Sequence, residues 1–306
     1  MIRVGPAGWS YPDWEGIVYP RKKPRGFHPL RYLARYFDCV EINSSFYATP
    51  SAANAEHWAQ LVEDRPQFRF TAKLQNAFTH ERLPSDAREL DALVAAFHAG
   101  LQPLADAKKL AGLLVQFPHS FRRGEKGGER LRWIAETFGG WPLVLELRHR
   151  SWFEPEPLSE IRALGYTLAG IDLPTEADRP SEDDLVARPV EMGERFRPHS
   201  LAYLRLHGRN AQAWFDPHAG RDQKYDYLYA PDEVREIAST TRRLAEGAED
   251  TYVITNNHFT GKAVANALEI LAELGGAPVL GPVELLDTYP ALREHVRPEG
   301  QETLFG

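Results

Sequence analysis

A chain of 306 residues, 43% hydrophobic and 26% charged, has a globular composition with ample material for a large core. Its formal net charge of −7 argues against a wholly basic nucleic-acid-binding protein, and its single cysteine, Cys39, excludes a disulfide framework or a cysteine-ligated metal centre. No apolar run approaches the roughly 20 residues that span a bilayer, and Met1-Ile2-Arg3-Val4-Gly5 opens as a strand rather than as an apolar leader. A cytoplasmic location without membrane attachment is expected.

From the amino end, strand and helix periods alternate. Strands are expected at residues 2–5, 39–43, 68–73, 111–116, 143–148, 166–172, 202–207 and 252–257. Between them apolar residues recur at helical spacing, as in Leu90, Leu93, Val94, Phe97 and Leu101, or Val264, Leu268 and Leu271. Pro157 and Pro231 suit first helical turns, and Gly165 suits a C-terminal cap. Residues 173–200, rich in Pro, Glu and Asp, show no helical face and read as a long connection with at most a short helix.

This alternation makes an α/β fold, a (β/α)₈ TIM barrel with a parallel eight-stranded wall and outer helices, the leading architecture. The barrel is expected to fill residues 1–290 as a single domain, with 291–306 as a flexible C-terminal tail. A doubly wound open sheet is the alternative, but Gly5-Pro6-Ala7-Gly8-Trp9 lacks the glycine spacing of a dinucleotide-binding loop.

In a barrel, strand alternation assigns faces. Val40 and Ile42, Phe68 and Phe70, Leu113 and Val115, Leu145 and Leu147, and Leu204 and Leu206 take the helix-facing side. Glu41 and Asn43, Arg69, Thr71 and Lys73, Gln116, Glu146 and Arg148, Asp172, and Arg205 and His207 then face inward. Most lie near carboxyl ends of strands, where barrel enzymes carry their chemistry. Any one such residue is more simply a hydrogen-bonded barrel filler. Charges converging from many strands are harder to attribute to stability, because buried charge is costly unless paired.

Lys73, Arg148 and Arg205 could hold a phosphate or carboxylate. Glu41, Glu146 and Asp172, with His207, could work as acid and base or bind a divalent metal ion, and buried ion pairs are the structural alternative. The metal is the weaker choice, since no H-E-x-x-H pairing appears. Loops following the strands add aromatics: Trp9, Tyr11 and Trp14, Phe46 and Tyr47, Trp152 and Phe153, Trp214 and Phe215. These suit stacking on a base or sugar, or a hydrophobic lid. His149 and His258 are loop histidines, and Asn256-Asn257-His258 ends the last strand before a helix start, a ready anion site.

Several motifs together resemble the YecE-like family, a bacterial and archaeal domain of unknown function. They are Gly8-Trp9-Ser10-Tyr11-x-x-Trp14, Val40-Glu41-Ile42-Asn43-Ser44-Ser45-Phe46-Tyr47, Lys73 with Thr79-His80, Gln116-Phe117-Pro118 and Glu146-Leu147-Arg148-His149-x-Ser151-Trp152. Further along come Asp172-Leu173-Pro174, Tyr203-x-Arg205-Leu206-His207-Gly208-Arg209, Tyr225-Asp226-Tyr227-Leu228-Tyr229 and Asn256-Asn257-His258-Phe259-x-Gly261-Lys262-Ala263. The resemblance covers nearly the whole chain and implies a (β/α)₈ barrel, without implying a defined reaction. The family resembles metal-dependent endonucleases of the same barrel class, but their metal-ligand histidines have no counterparts here.

The chain ends Gln301-Glu302-Thr303-Leu304-Phe305-Gly306. Gln301, Leu304 and Phe305 resemble the short peptide by which bacterial repair proteins dock on the DNA sliding clamp, with an amide hydrogen bond and two apolar anchors. The alternative is a tail folded back on the barrel. Three functions follow as expectations. The first is an enzyme, possible phosphodiester hydrolase included, acting on DNA, RNA or a nucleotide-like ligand. Its site would combine Glu41, Glu146, His207 and Lys73 with binding by Trp9, Tyr11, Asn43, Phe46, Tyr47, Arg148, His149, Asp172, Arg205, Arg209, Asn256, Asn257 and His258. The second is a sugar or other small-molecule enzyme using Glu41 and Glu146 as paired carboxylates. The third is a non-enzymatic binding module recruited through the tail.

Overall fold

The computed structural model describes residues 1–174 and 201–299. Most of the expected long connection and the Gln301-x-x-Leu304-Phe305 segment therefore lie outside the described residues. Strands form near all the expected positions: β1 (Ile2–Pro6), β2 (Cys39–Ile42), β3 (Arg69–Lys73), β4 (Leu110–Gln116), β5 (Leu143–Glu146), β6 (Thr167–Leu168), β7 (Gly170–Asp172), β8 (Leu201–Leu206) and β9 (Asp250–Thr255). They pair in parallel in two sheets, ordered β2-β3-β4-β5-β6 and β1-β9-β8-β7.

The sheets meet at both edges. β6 and β7 are pieces of one run: the Ala169 amide donates to the Leu145 carbonyl at 2.9 Å, and the next residue, Gly170, already pairs with Leu204. At the other edge Ala7 pairs with Glu41 in a parallel bridge, and the Gly8 amide donates to the Glu41 carbonyl at 2.8 Å. Gly5 shows how tightly β1 and β2 approach, since a Cβ there would stand 1.9 Å from the Cys39 carbonyl oxygen.

The principal helices are α1 (Ala52–Leu61), α2 (Ala87–Asp106), α3 (Glu125–Phe138), α4 (Pro155–Ala163), α5 (Pro231–Ala245) and α6 (Lys262–Gly275). Ser51 and Asp86 accept amide hydrogen bonds as N-caps of α1 and α2, and α4 and α5 carry proline in their first turns. Val40, Ile42, Phe70, Leu113, Val115, Leu145, Leu204 and Leu206 pack with Phe97, Leu101, Ile134, Phe138, Val264 and Leu268 in one buried cluster, as alternation requires.

The opposite strand faces build a second cluster from Ala7, Cys39, Leu114, Val144, Ala169, Leu201, Tyr203, Tyr252 and Ile254. Burying both faces fits parallel sheets covered by helices. Burial pushes the Cys39 thiol pKa up, so it is an inert core thiol. At the amino end of this inner column Arg3 donates to Asp250 at 2.5 Å. At the carboxyl end stand the polar residues described below.

Part of the segment expected as a tail from residue 291 carries regular structure. After β10 (Val279–Gly281) the chain forms the helical turn Pro290–Glu294 and β11 (Val296–Pro298), which pairs in parallel with β10. Leu292 and Val296 are buried, and the Tyr36 hydroxyl donates to Glu299 at 2.7 Å. Two apolar anchors in a Pro- and Glu-rich stretch suffice to dock it. Among the described residues no helix is long and apolar enough to cross a membrane.

Replacing Gly5 by alanine is expected to destabilise the fold by about 1–3 kcal/mol through overpacking at the β1–β2 contact, read as a lower urea midpoint at unchanged slope.

Candidate functional site

Arg205, on β8, reaches across the interior between the two sheets. Its Nε and Nη2 donate to the two carboxylate oxygens of Glu41 on β2, at 3.0 and 2.6 Å. Its Nη1 donates to Glu146 on β5 at 2.6 Å. The Tyr203 hydroxyl gives Glu41 a further hydrogen bond at 2.9 Å, and Arg148 donates through Nε and Nη2 to the other oxygen of Glu146, at 3.0 and 2.7 Å. Glu41, Glu146 and Arg205 are fully buried. Two carboxylates against two guanidiniums leave the cluster without net formal charge. Burial would raise the Glu146 pKa, yet Arg205 and Arg148 hold it well below the usual carboxylate range.

Glu41 and Glu146 are therefore carboxylates locked in guanidinium forks. This removes the reason for reading them as the paired carboxylates of glycoside chemistry, which needs one of them protonated and both open to substrate. Arg148 and Arg205 are likewise taken up by carboxylates and do not extend a phosphate clamp into open space. His207 is buried beside them: Asn256 Nδ2 lies 3.1 Å from its Nδ1, and its Nε2 is 3.6 Å from Glu146. Burial lowers His207 to about 3, against the pull of Glu146, so the ring is neutral near pH 7.

Above this floor lies a cavity of about 540 Å³. Its lining includes Trp9, Tyr11, Asn43, Phe46, Tyr47, Trp58, Lys73, His80, Gln116, Arg221, Tyr225, Asn256 and His258. The first loop reaches it because Gly8 adopts a positive φ of 82°, where a Cβ would also strike the Tyr11 ring. Tyr11 donates to the Ala7 carbonyl at 2.7 Å and stacks on His258, ring centres 4.6 Å apart. His258 Nδ1 is buried with no hydrogen-bond partner among the described residues.

Lys73 closes β3 and enters this cavity. The helical turn Ser44–Tyr47 follows β2 directly, and the buried Ser45 hydroxyl lies 2.7 Å from the Lys73 carbonyl and 2.8 Å from that of Ile42. That anchor sets the Phe46 ring face 4.1 Å from Lys73 Nζ. Among the described residues Nζ has no hydrogen-bond or ion-pair partner, because both nearby carboxylates are occupied. Burial, then the positive charge of Arg205, lowers Lys73 to about 7.

Other expected site residues sit elsewhere. Asp172 accepts three hydrogen bonds from Arg209, the shortest 2.6 Å, and one from Tyr229 at 2.8 Å. Arg209 also reaches Glu233 and Glu236, so this pair clasps the end of β7 to α5 rather than lining the cavity. His149 caps the turn Arg150–Trp152. Asn257 donates to the Tyr227 carbonyl and to Asn266 on α6. Among the described residues no group of three His, Cys, Asp or Glu side chains could hold a metal ion. Trp58 and Arg221, both in the lining, lacked a sequence signal: one reads as the apolar face of α1, the other as a surface charge. His80 and Tyr225 were visible only within motifs.

An α/β protein with parallel sheets, helix-packed outer faces and a cavity of aromatic and polar side chains at the carboxyl strand ends is thus defined. The chain belongs to the family described as "Protein of unknown function DUF72", whose model matches residues 3–285. The UPF0759 protein YunF of Bacillus subtilis is 31% identical over 282 residues, covering 89% of this chain and 94% of the relative. The UPF0759 protein YecE of Escherichia coli O157:H7 is 31% identical over 203 residues, 66% of this chain and 64% of that protein. A solved DUF72 family protein from Thermotoga maritima superposes with a TM-score of 0.72 at 30% identity, over 90% of this chain and 99% of that one. The expected YecE-like membership is met.

Arg205→Met strands two buried carboxylates and is expected to cost about 3–5 kcal/mol in chemical denaturation. Lys73 has a folded pKa below its unfolded value, so the unfolded chain binds the extra proton between about pH 7 and 10, and folding stability rises with pH across that window. Relative to Lys73→Met, the wild-type protein should gain up to about 4 kcal/mol from pH 7 to 10, measured by urea unfolding at each pH.

Proposed function

We propose that the two sheets close into one (β/α)₈ barrel, and that the chain is an enzyme acting on a phosphate-bearing, nucleotide-like small molecule at the carboxyl mouth. Closure is supported by the sheets' contacts at both edges, through Ala7 with Glu41 and through the run that passes from Leu145 to Leu204. Placing the chemistry at the carboxyl ends of the strands follows the rule for this architecture.

The observation that carries the reading is the cavity lining. Its volume of about 540 Å³ is that of a small-ligand site. Rings of Trp9, Phe46, Tyr47, Trp58 and Tyr225 offer stacking surfaces, while Gln116, Asn43 and Asn256 offer amide groups. Arg221, exposed at the mouth and joined to Asp222 through Nε at 3.3 Å, adds a guanidinium, the group suited to bidentate recognition of a phosphate. Planar rings, amides and one rim cation together suit a planar ligand with an anionic arm. The net charge of −7 favours a small ligand over a long polyanion.

Tryptophan fluorescence should report binding, since Trp9 and Trp58 line the cavity. Adenosine 5′-monophosphate is expected to bind about tenfold more tightly than adenosine, and Arg221→Ala to remove that preference. Equal affinities for the two ligands in the wild-type protein, or no quenching by either, would count against the reading.

A further inference from the structure

We propose that Lys73 is a nucleophile that forms an imine with a carbonyl group of the ligand, which makes the substrate a phosphorylated aldehyde or ketone. This deepens the reading of the cavity as an enzyme's ligand site and rests on it.

The geometry separates Lys73 from the other cations. A lysine that serves only to neutralise buried carboxylates would be hydrogen-bonded to them. Here Glu41 takes Arg205 and Glu146 takes Arg205 and Arg148, with no contact from Lys73 Nζ to either. The amine lies instead over the face of Phe46, at the wall of a cavity large enough for a ligand. Burial and, after it, the charge of Arg205 make the ammonium form costly against the opposing pull of Glu41 and Glu146, so the neutral amine is well populated near pH 7. A neutral lysine amine in an apolar setting is the form that attacks carbonyl carbon.

The rest of the chemistry is also lined up. The amine lone pair adds to the carbonyl carbon as the C=O π pair moves to oxygen; nitrogen gives up a proton and oxygen gains one. The resulting hydroxyl takes a second proton from the water of the open cavity, the C–O bond breaks, and water leaves as the C=N bond forms. The protonated imine then releases its remaining N–H proton, which restores the proton borrowed. These transfers need a group that can hold and release a proton. His80 lines the same cavity and packs edge-on against Phe46, ring centres 5.0 Å apart. Burial, then the charge of Lys73, lowers it to about 4, so it meets the ligand as a neutral ring able to take up the proton that nitrogen releases. Its Nδ1 lies 2.8 Å from the Thr79 hydroxyl, which fixes the ring orientation. Gln116 and Asn256, also in the lining, are suited to hold the hydroxyl of the addition product.

The test is borohydride trapping on the full-length protein, with pyridoxal 5′-phosphate as a planar, phosphorylated aldehyde probe. After reduction, peptide mass mapping should place the adduct on Lys73. Labelling there should be at least about tenfold faster at pH 7.5 than at any other lysine, because an ordinary lysine is almost wholly protonated at that pH. The rate should be half-maximal near pH 7, and Lys73→Arg should lose the adduct. Labelling of Lys73 no faster than that of surface lysines would overturn the inference. Adenosine 5′-monophosphate binding, measured in parallel, separates the two ideas. Binding retained without selective labelling removes the imine step and keeps the ligand site. Selective labelling without nucleotide binding keeps the imine step and removes the nucleotide-like class.

Discussion

The guanidinium of Arg205 is the contact on which the strand ends depend. It binds a carboxylate from β2 and one from β5 while standing on β8, so one side chain ties together two sheets that also meet along their edges and pack through the inner cluster. Three fully buried ions would be ruinous singly. Together, with Tyr203 and Arg148 supplying further donors, they satisfy one another's hydrogen bonds. The cluster is costly to assemble and costlier to break, and that asymmetry fixes its geometry.

Saturation of that cluster decides what is left for chemistry. With both acids occupied and His207 neutral, the floor has no spare proton acceptor of ordinary strength. Lys73 is left at the cavity wall with no hydrogen-bond or ion-pair partner among the described residues, and the pull of Glu41 and Glu146 on its charge is outweighed by burial. Burial first, and then the Arg205 guanidinium that quietens the acids, make its ammonium form costly. On the proposed reading, stability and reactivity are two results of one arrangement: pairing removes Glu41 and Glu146 from the reactive set and leaves Lys73 in it.

Much of this was legible in the sequence because alternation is a local property. Val40 and Ile42 against Glu41, or Leu204 and Leu206 against Arg205, follow from the pleat alone, and the motifs identified the family. Partner choice was not legible. Lys73 and Arg205 both read as inward cations, and only the depth of each strand end shows that one meets carboxylates and the other meets Phe46. Asp172 and Arg209 read as site residues for the same reason. They face the right end of the strands but find each other, with Tyr229, Glu233 and Glu236, before they reach the cavity. Arg221 and Trp58 carried no periodic signal toward the site, because a short loop turn and an outer helix bring them there from outside the strand pattern.

The separation between floor and rim has an evolutionary consequence. The ionic hub is carried by strands, whereas Trp9, Tyr47, Arg221 and Tyr225 stand on loops and short turns. Tyr47 is 64% exposed and can be exchanged with little effect on packing. On the proposed reading, substitutions at the rim would retune which molecule is accepted while the hub and Lys73 stay unchanged. A lineage built this way can diversify in ligand preference without renegotiating its fold.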